Sequence, residues 1–111
     1  MPEMGTVTAI NMFSLRPGVT AAQFEDFSAE LDQPTCLSCD VVESFEVYLV
    51  EGDGQQVDVI EIMTVRSWPE WESLRDNAPE FVPVLRRFAE LVDLDTVSTL
   101  FTRHVNPTKE N

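Results

Sequence analysis

At 111 residues, 43% hydrophobic and 24% charged, the chain has globular rather than disordered composition and is expected to form one domain over residues 1–111. Its formal net charge is −13, with eleven acids and no Lys or Arg between Arg16 and Arg66, which argues against nucleic acid and anionic membrane surfaces as partners. No apolar run approaches a membrane span, and "MPEMGTVTAI" has no basic segment ahead of a long apolar one, so a cytoplasmic protein is expected.

Residues 6–15 have strand composition, with Val7, Ala9, Phe13 and Leu15 on one side and Ile10 and Met12 on the other. "RPG" breaks that strand. Thr20 then starts a helix as N-cap, with Gln23 completing a capping box and Phe24, Phe27 and Leu31 forming an apolar stripe. Pro34 is expected to stop this helix, which leaves Asp32 at its end, where the helix dipole disfavours a negative charge. A carboxylate placed against that preference needs a partner or a purpose.

"CLSC" follows, with Cys36 and Cys39 spaced as in a redox motif. It comes after a helix and before a strand, with Asp40 beside it and no base nearby, an environment that raises a thiol pKa. Structural zinc needs about four ligands, and the sequence offers this pair and the distant His104. Small side chains in a loop are the expectation, with no metal.

Residues 42–50 alternate, Phe45, Val47 and Leu49 one way, Glu46 and Tyr48 the other, and "EGDGQQ" reads as a hairpin connection. The next strand, 57–65 ("VDVIEIMTV"), is apolar on both faces, as a central strand should be, yet carries Glu61 in its middle. "SWPEWESL" opens a helix with Ser67 as N-cap and Glu70 closing the box; Asn77 and Glu80 repeat the pattern before a helix bearing Phe81, Val84, Leu85, Phe88 and Leu91. A last strand spans about 96–105, followed by a polar tail.

The order β-α-β-β-α-β is the ferredoxin-like split βαβ arrangement, an α+β fold with an antiparallel sheet and helices on one face. The first and third strands belong at its centre, and they are the two with both faces apolar. The uncovered face, carrying Phe45 or Tyr48, needs another cover, most simply a second copy of the chain, so a homodimer is expected.

"MFSLRPGVTAAQFEDF", "LDQPTC", "SFEVYLVEGDG" and "VDVIEIMTV" resemble the REDY-like HapK family over roughly residues 9–104. The "TCLSC" loop and the Trp pair depart from that pattern. The resemblance implies the dimeric α/β-barrel superfamily and an association with prodiginine-type red pigment pathways. The superfamily is similar to cofactor-free monooxygenases, lactone isomerases, cyclases and dehydratases that act on aromatic or polyketide intermediates.

Glu61 is the first candidate for chemistry, because burial would raise its pKa into the range of a general acid or base. The plainer account pairs it with Arg66, Arg103 or a Trp N–H. Asn11, on the other central strand, reaches the same space if the strands are adjacent and would hold a carbonyl or enolate oxygen. His104 is the only histidine, set near a strand end where exposure is the simpler account. Tyr48, Trp68, Trp71, Phe24 and Asp32 complete the candidate binding set, the aromatics being equally suited to core or interface. No Gly-rich phosphate loop or metalloprotease motif occurs, so no cofactor is expected. The leading expectation is a hydrophobic aromatic or heteroaromatic ligand held between sheet and helices, with proton-transfer chemistry at Glu61. The alternatives are a non-catalytic carrier of a reactive metabolite and a cofactor-free monooxygenase.

Overall fold

The computed structural model describes residues 5–52, 54 and 56–108. Strand β1 (Val7–Leu15) leads through the Pro17–Gly18 turn into helix α1 (Ala21–Phe27). The capping box forms as expected: Gln23 N–H donates to Thr20 Oγ1 at 3.1 Å, and Thr20 N–H donates to Gln23 Oε1 at 2.9 Å.

Pro34 does not end the helix. A π-helical segment, Ser28–Asp32, follows α1 and runs directly into α2 (Gln33–Leu37), with Pro34 in the first turn of α2. Proline disrupts an α-helix because it lacks an N–H and its ring meets the carbonyl four residues back. The wider π turn, in which Gln33 N–H bonds to Ser28 O, shifts the local carbonyl register where proline would clash. Asp32 therefore lies inside a continuous helical rod, not at its end.

Strands β2 (Val42–Leu49) and β3 (Val59–Val65) form a hairpin closed by Val50 N–H to Asp58 O at 2.9 Å. Of its "EGDGQQ" connection, Asp53 and Gln55 lie outside the described residues. Helix α3 (Trp68–Asn77) starts at Ser67, whose hydroxyl accepts from Glu70 N–H at 3.3 Å. Asn77 is not the second cap that its sequence context suggests: it closes α3, donating to Ser73 O at 2.9 Å, and extended Ala78 separates it from a short 3-10 turn. Helix α4 (Val82–Leu91) then passes without a loop into β4 (Val92–Thr102), which starts and ends earlier than the 96–105 read from the sequence. A register shift opposite Met12 to Ser14 absorbs the extra residues, with Ser14 N–H donating to Thr96 Oγ1 at 2.9 Å.

The four strands form one antiparallel sheet in the order β2-β3-β1-β4, with β1 and β3 central and helices packed on one face. The fold is α+β and ferredoxin-like. Burial alternates along β3, where Val59, Glu61, Met63 and Val65 are buried against the helices and Ile60, Ile62 and Thr64 face away. At the centre of the helix-side core, Phe13 meets Phe24 and Phe88 edge-to-face at centroid distances of 5.7 and 5.2 Å, and Phe24 meets Phe27 at 5.6 Å. Of the two alternatives for the uncovered face, Phe45 points to the helices and is buried opposite Met63, and Tyr48 is the one that faces away, because of the register in which β2 pairs with β3. The uncovered face is thus carried by Ile10, Met12, Ile60, Ile62, Tyr48 and Leu100.

Candidate functional site

Adjacent central strands put Asn11 directly opposite Glu61, on the helix side of the sheet. Above them, the helices leave a cavity of about 330 Å³. Its floor is Ala9, Asn11, Glu61 and Met63; Asp32 and Cys36 descend from the helical rod, and Trp68 and Trp71 from α3. The walls are mostly apolar and aromatic, and convergent polar groups sit on the floor, the usual constitution of a small-molecule site. A broader depression of about 500 Å³ between α1 and α4 carries Asp26, Glu30, Arg86 and Arg87 on an open surface, with no buried polar group among its lining residues.

Glu61 is only 4% exposed, and its Oε2 has no hydrogen-bond partner among the described residues. None of Arg66, Arg103 and the tryptophan N–H groups pairs with it. Desolvation, reinforced by the nearby Asp32 charge, pushes its pKa well above the ordinary carboxylate range, while the Asn11 amide pulls the other way. Asp32 is also raised by burial, with the Cys36 thiol partly offsetting the shift; Cys36 Sγ donates to Asp32 Oδ1 at 3.4 Å. The two acids disfavour each other's ionisation, so they titrate as a pair. Thr99 Oγ1 donates to Asn11 Oδ1 at 2.6 Å, which leaves the amide NH2 as the group free to face Glu61 directly across the strand pair.

Burial and the Asp32 charge raise the Cys36 thiol far above its ordinary value, so it is a packed, protonated thiol and not a thiolate nucleophile. Both cysteines are free, and no group of three or more His, Cys, Asp or Glu among the described residues is arranged to hold a metal. Of the groups singled out from the sequence, Glu61, Asn11, Asp32, Trp68 and Trp71 meet in the cavity. Three stand elsewhere. Phe24 is fully buried in the phenylalanine core; Tyr48 lies half exposed on the opposite sheet face; His104 lies past the end of β4 in solvent, 3.0 Å from Asn106 Oδ1.

Thr99, Arg75 and Phe101 line the cavity without having drawn notice in the sequence, and Cys36, expected in a loop, lines it from helix α2. Cys36 is four residues after Asp32, one helical turn on the same face, a signal visible only if the helix continues through Pro34. Thr99 was reachable through pairing of the first and last strands, but only with the register known. Arg75 sits at the cavity edge, already engaged with Asp76 at 2.9 Å and Glu72 at 3.9 Å. On the β4 side the cavity is open: Phe101, 54% exposed, meets Trp68 edge-on at 4.8 Å to form the mouth.

These features define a ferredoxin-like domain with a ligand-sized, acid-floored cavity between sheet and helices. The chain belongs to the family described as REDY-like protein HapK, whose model matches residues 7–105. Among solved structures it is similar to HapK from Hahella chejuensis, with a TM-score of 0.77 at 16% identity over 95% of this chain and 98% of that one. It is similar also to SnoaB, a cofactor-independent oxygenase from Streptomyces nogalater, with a TM-score of 0.70 at 14% identity, covering 96% of this chain and 99% of that one. A dimeric ferredoxin-like protein of unknown function from Bacteroides fragilis gives 0.66 at 18% identity, covering 93% of this chain and 100% of that one. At these identities the likeness establishes the fold. Comparison with curated proteins finds no match.

No helix among the described residues is long and apolar enough to cross a membrane.

Proposed function

We propose that the chain is a cytoplasmic small-molecule biosynthetic protein that binds a hydrophobic aromatic or heteroaromatic intermediate in this cavity. There it promotes proton transfer, as in a cyclisation, dehydration or condensation, with its own side chains. The observation that carries this reading is Glu61: a buried acid with an unpartnered oxygen, set in the floor of an aromatic-walled cavity. A carboxyl whose pKa is raised toward neutrality holds its proton long enough to act as an acid and accepts one readily enough to act as a base. Asn11, oriented by Thr99, is positioned beside it to stabilise an oxygen that gains charge. Membership of the HapK family and the fold shared with a cofactor-independent oxygenase support a biosynthetic role. The apolar sheet face supports a homodimer, since Ile10, Ile62 and Leu100 otherwise meet water.

The test uses 2-tetralone, a bicyclic aromatic ketone with an acidic C–H, incubated with the protein in D2O and followed by NMR. Wild-type protein is expected to accelerate exchange of that hydrogen above the buffer rate, and Glu61→Gln to return it to the buffer rate. Equal rates for wild type and variant, with a melting-temperature rise confirming that the ketone binds both, would refute the acid/base role and leave the carrier reading.

A further inference from the structure

We infer that the cavity selects a ligand that is positively charged when bound, a flat aromatic or heteroaromatic with a cationic N–H fork such as an amidinium or aminopyridinium group, held by Glu61 and Asp32. This rests on the cavity being the ligand site, as proposed above, and specifies what kind of ligand it takes.

The cavity floor is short of donors for its two acids. Glu61 Oε2 has no donor among the described residues, and Asp32 Oδ1 has only the weak thiol of Cys36. Both acids are more than nine-tenths buried by exposed area, at 4% and 6%. Asn11 accepts the Thr99 hydroxyl on its Oδ1, which leaves its NH2 as the one amide donor on the floor, opposite Glu61. Across the cavity β4 contributes Val97, Thr99 and Phe101, and α4 contributes Val84, Leu85 and Phe88, none of them titratable. The helical rod adds Cys36, and α3 adds Arg75, whose guanidinium is turned to the acids of its own helix. The floor is therefore rich in acceptors, poor in donors and short of a cation.

A neutral ligand leaves the Glu61 carboxyl protonated and draws no ionic contact from either acid. An anionic ligand meets the like charge of Asp32 and is repelled by it. A planar cation with two N–H groups meets a carboxylate edge-on through two parallel bonds, the strongest pairing open to this site. The aromatic walls add to the selection, because Trp68, Trp71 and Phe101 present ring faces and edges to a flat cation. The chain's net charge of −13 favours the approach of a cation over an anion.

The test is isothermal calorimetry with three probes of one shape, 2-naphthamidine, 2-naphthamide and 2-naphthoate, near pH 7 in buffers of different ionisation heat. The amidine is expected to bind at least tenfold more tightly than the amide and the naphthoate not measurably. Amidine binding should release a proton, because the bound cation ionises Glu61. Glu61→Gln should abolish the release and most of the preference, and Asp32→Asn should reduce the preference, each variant being checked for native circular dichroism. Equal binding of amide and amidine without proton release would overturn the inference and leave the acid/base reading standing. Binding of none of the three would overturn both the inference and the cavity as a ligand site, whereas failure of tetralone exchange with cation preference intact would remove only the acid/base role.

Discussion

Replacing Glu61 by glutamine should change the pH dependence of folding more than its level. Glu61 titrates near its ordinary value of 4.5 in the unfolded chain and at about 8 in the folded one. Between those values the folded state holds a proton that the unfolded state has released. Stability is therefore greatest below the unfolded value and declines as pH rises, until the decline is complete above the folded value. Each pH unit of that interval is worth about 1.4 kcal/mol when fully developed. Applied to the interval between pH 6 and pH 8.5, the linkage gives a loss on the order of 2–3 kcal/mol. Asp32 is raised by burial as well, and because the two acids interact, the pH dependence of the wild type belongs to the pair.

A domain of this size shifts its melting temperature by roughly 4 °C per kcal/mol, so the wild type should melt about 10 °C lower at pH 8.5 than at pH 6. Glutamine has nearly the shape of the protonated acid and cannot ionise, so Glu61→Gln should lose no more than about 2–3 °C over the same range. Differential scanning calorimetry of the two proteins in matched low-heat buffers reads the difference directly. Parallel profiles, or a wild type insensitive to pH across this range, would mean that Glu61 is not desolvated in the folded protein, and the site argument would fall with it.

Phe24→Ala should destabilise the fold by about 3–5 kcal/mol, measured by urea titration, because it removes a ring from the centre of the Phe13–Phe27–Phe88 cluster and leaves a void. If the sheet face is a dimer interface, light scattering should give about twice the 12.6 kDa chain mass for the wild type, and Ile62→Glu should give the monomer; a wild type that is monomeric at micromolar concentration removes the homodimer.

Element order and the identity of the central strands were legible because hydrophobic periodicity reports them directly: β1 and β3 are apolar on both faces, and they are central. The Thr20 and Ser67 caps were legible for a similar reason, since a cap is a local arrangement of three or four residues. Glu61 drew attention as a charge in an apolar strand, and the structure keeps it buried. What the sequence obscured is non-local. Pro34 reads as a helix stop because proline chemistry is local, yet a π turn one residue upstream changes which carbonyl it meets. The choice between Phe45 and Tyr48 for the open face stays undecided in the sequence because alternation gives two faces without saying which one the helices cover. β4 was set late by four residues, since its first turn of sequence, "VDLD", looks polar and its pairing depends on a register shift in β1. Tyr48 and His104 have the residue types of site groups, and it is topology that sends them to the far face and past the strand end.

The π turn carries more than a corrected boundary. An uninterrupted α-helix from Ala21 would rotate its side chains by about 100° per residue throughout. A π turn spreads the same residues over a wider coil, and every position after it faces a different direction from the one α-helical spacing assigns. Asp32 and Cys36 follow that change, and they are the two residues of the rod that reach Glu61's surroundings. Without it, a proline break at residue 34 would leave Asp32 at a frayed helix end, solvated and far less perturbed. Three local irregularities thus converge on one volume: an amide in a central strand, an acid directly opposite it, and a helix that changes its winding just before a proline. Each departs from what its own element favours, and such departures accumulate where function opposes folding. The energetic consequence is a pair of acids whose ionisation depends on what else enters the cavity, so that ligand charge and cavity ionisation become one linked equilibrium.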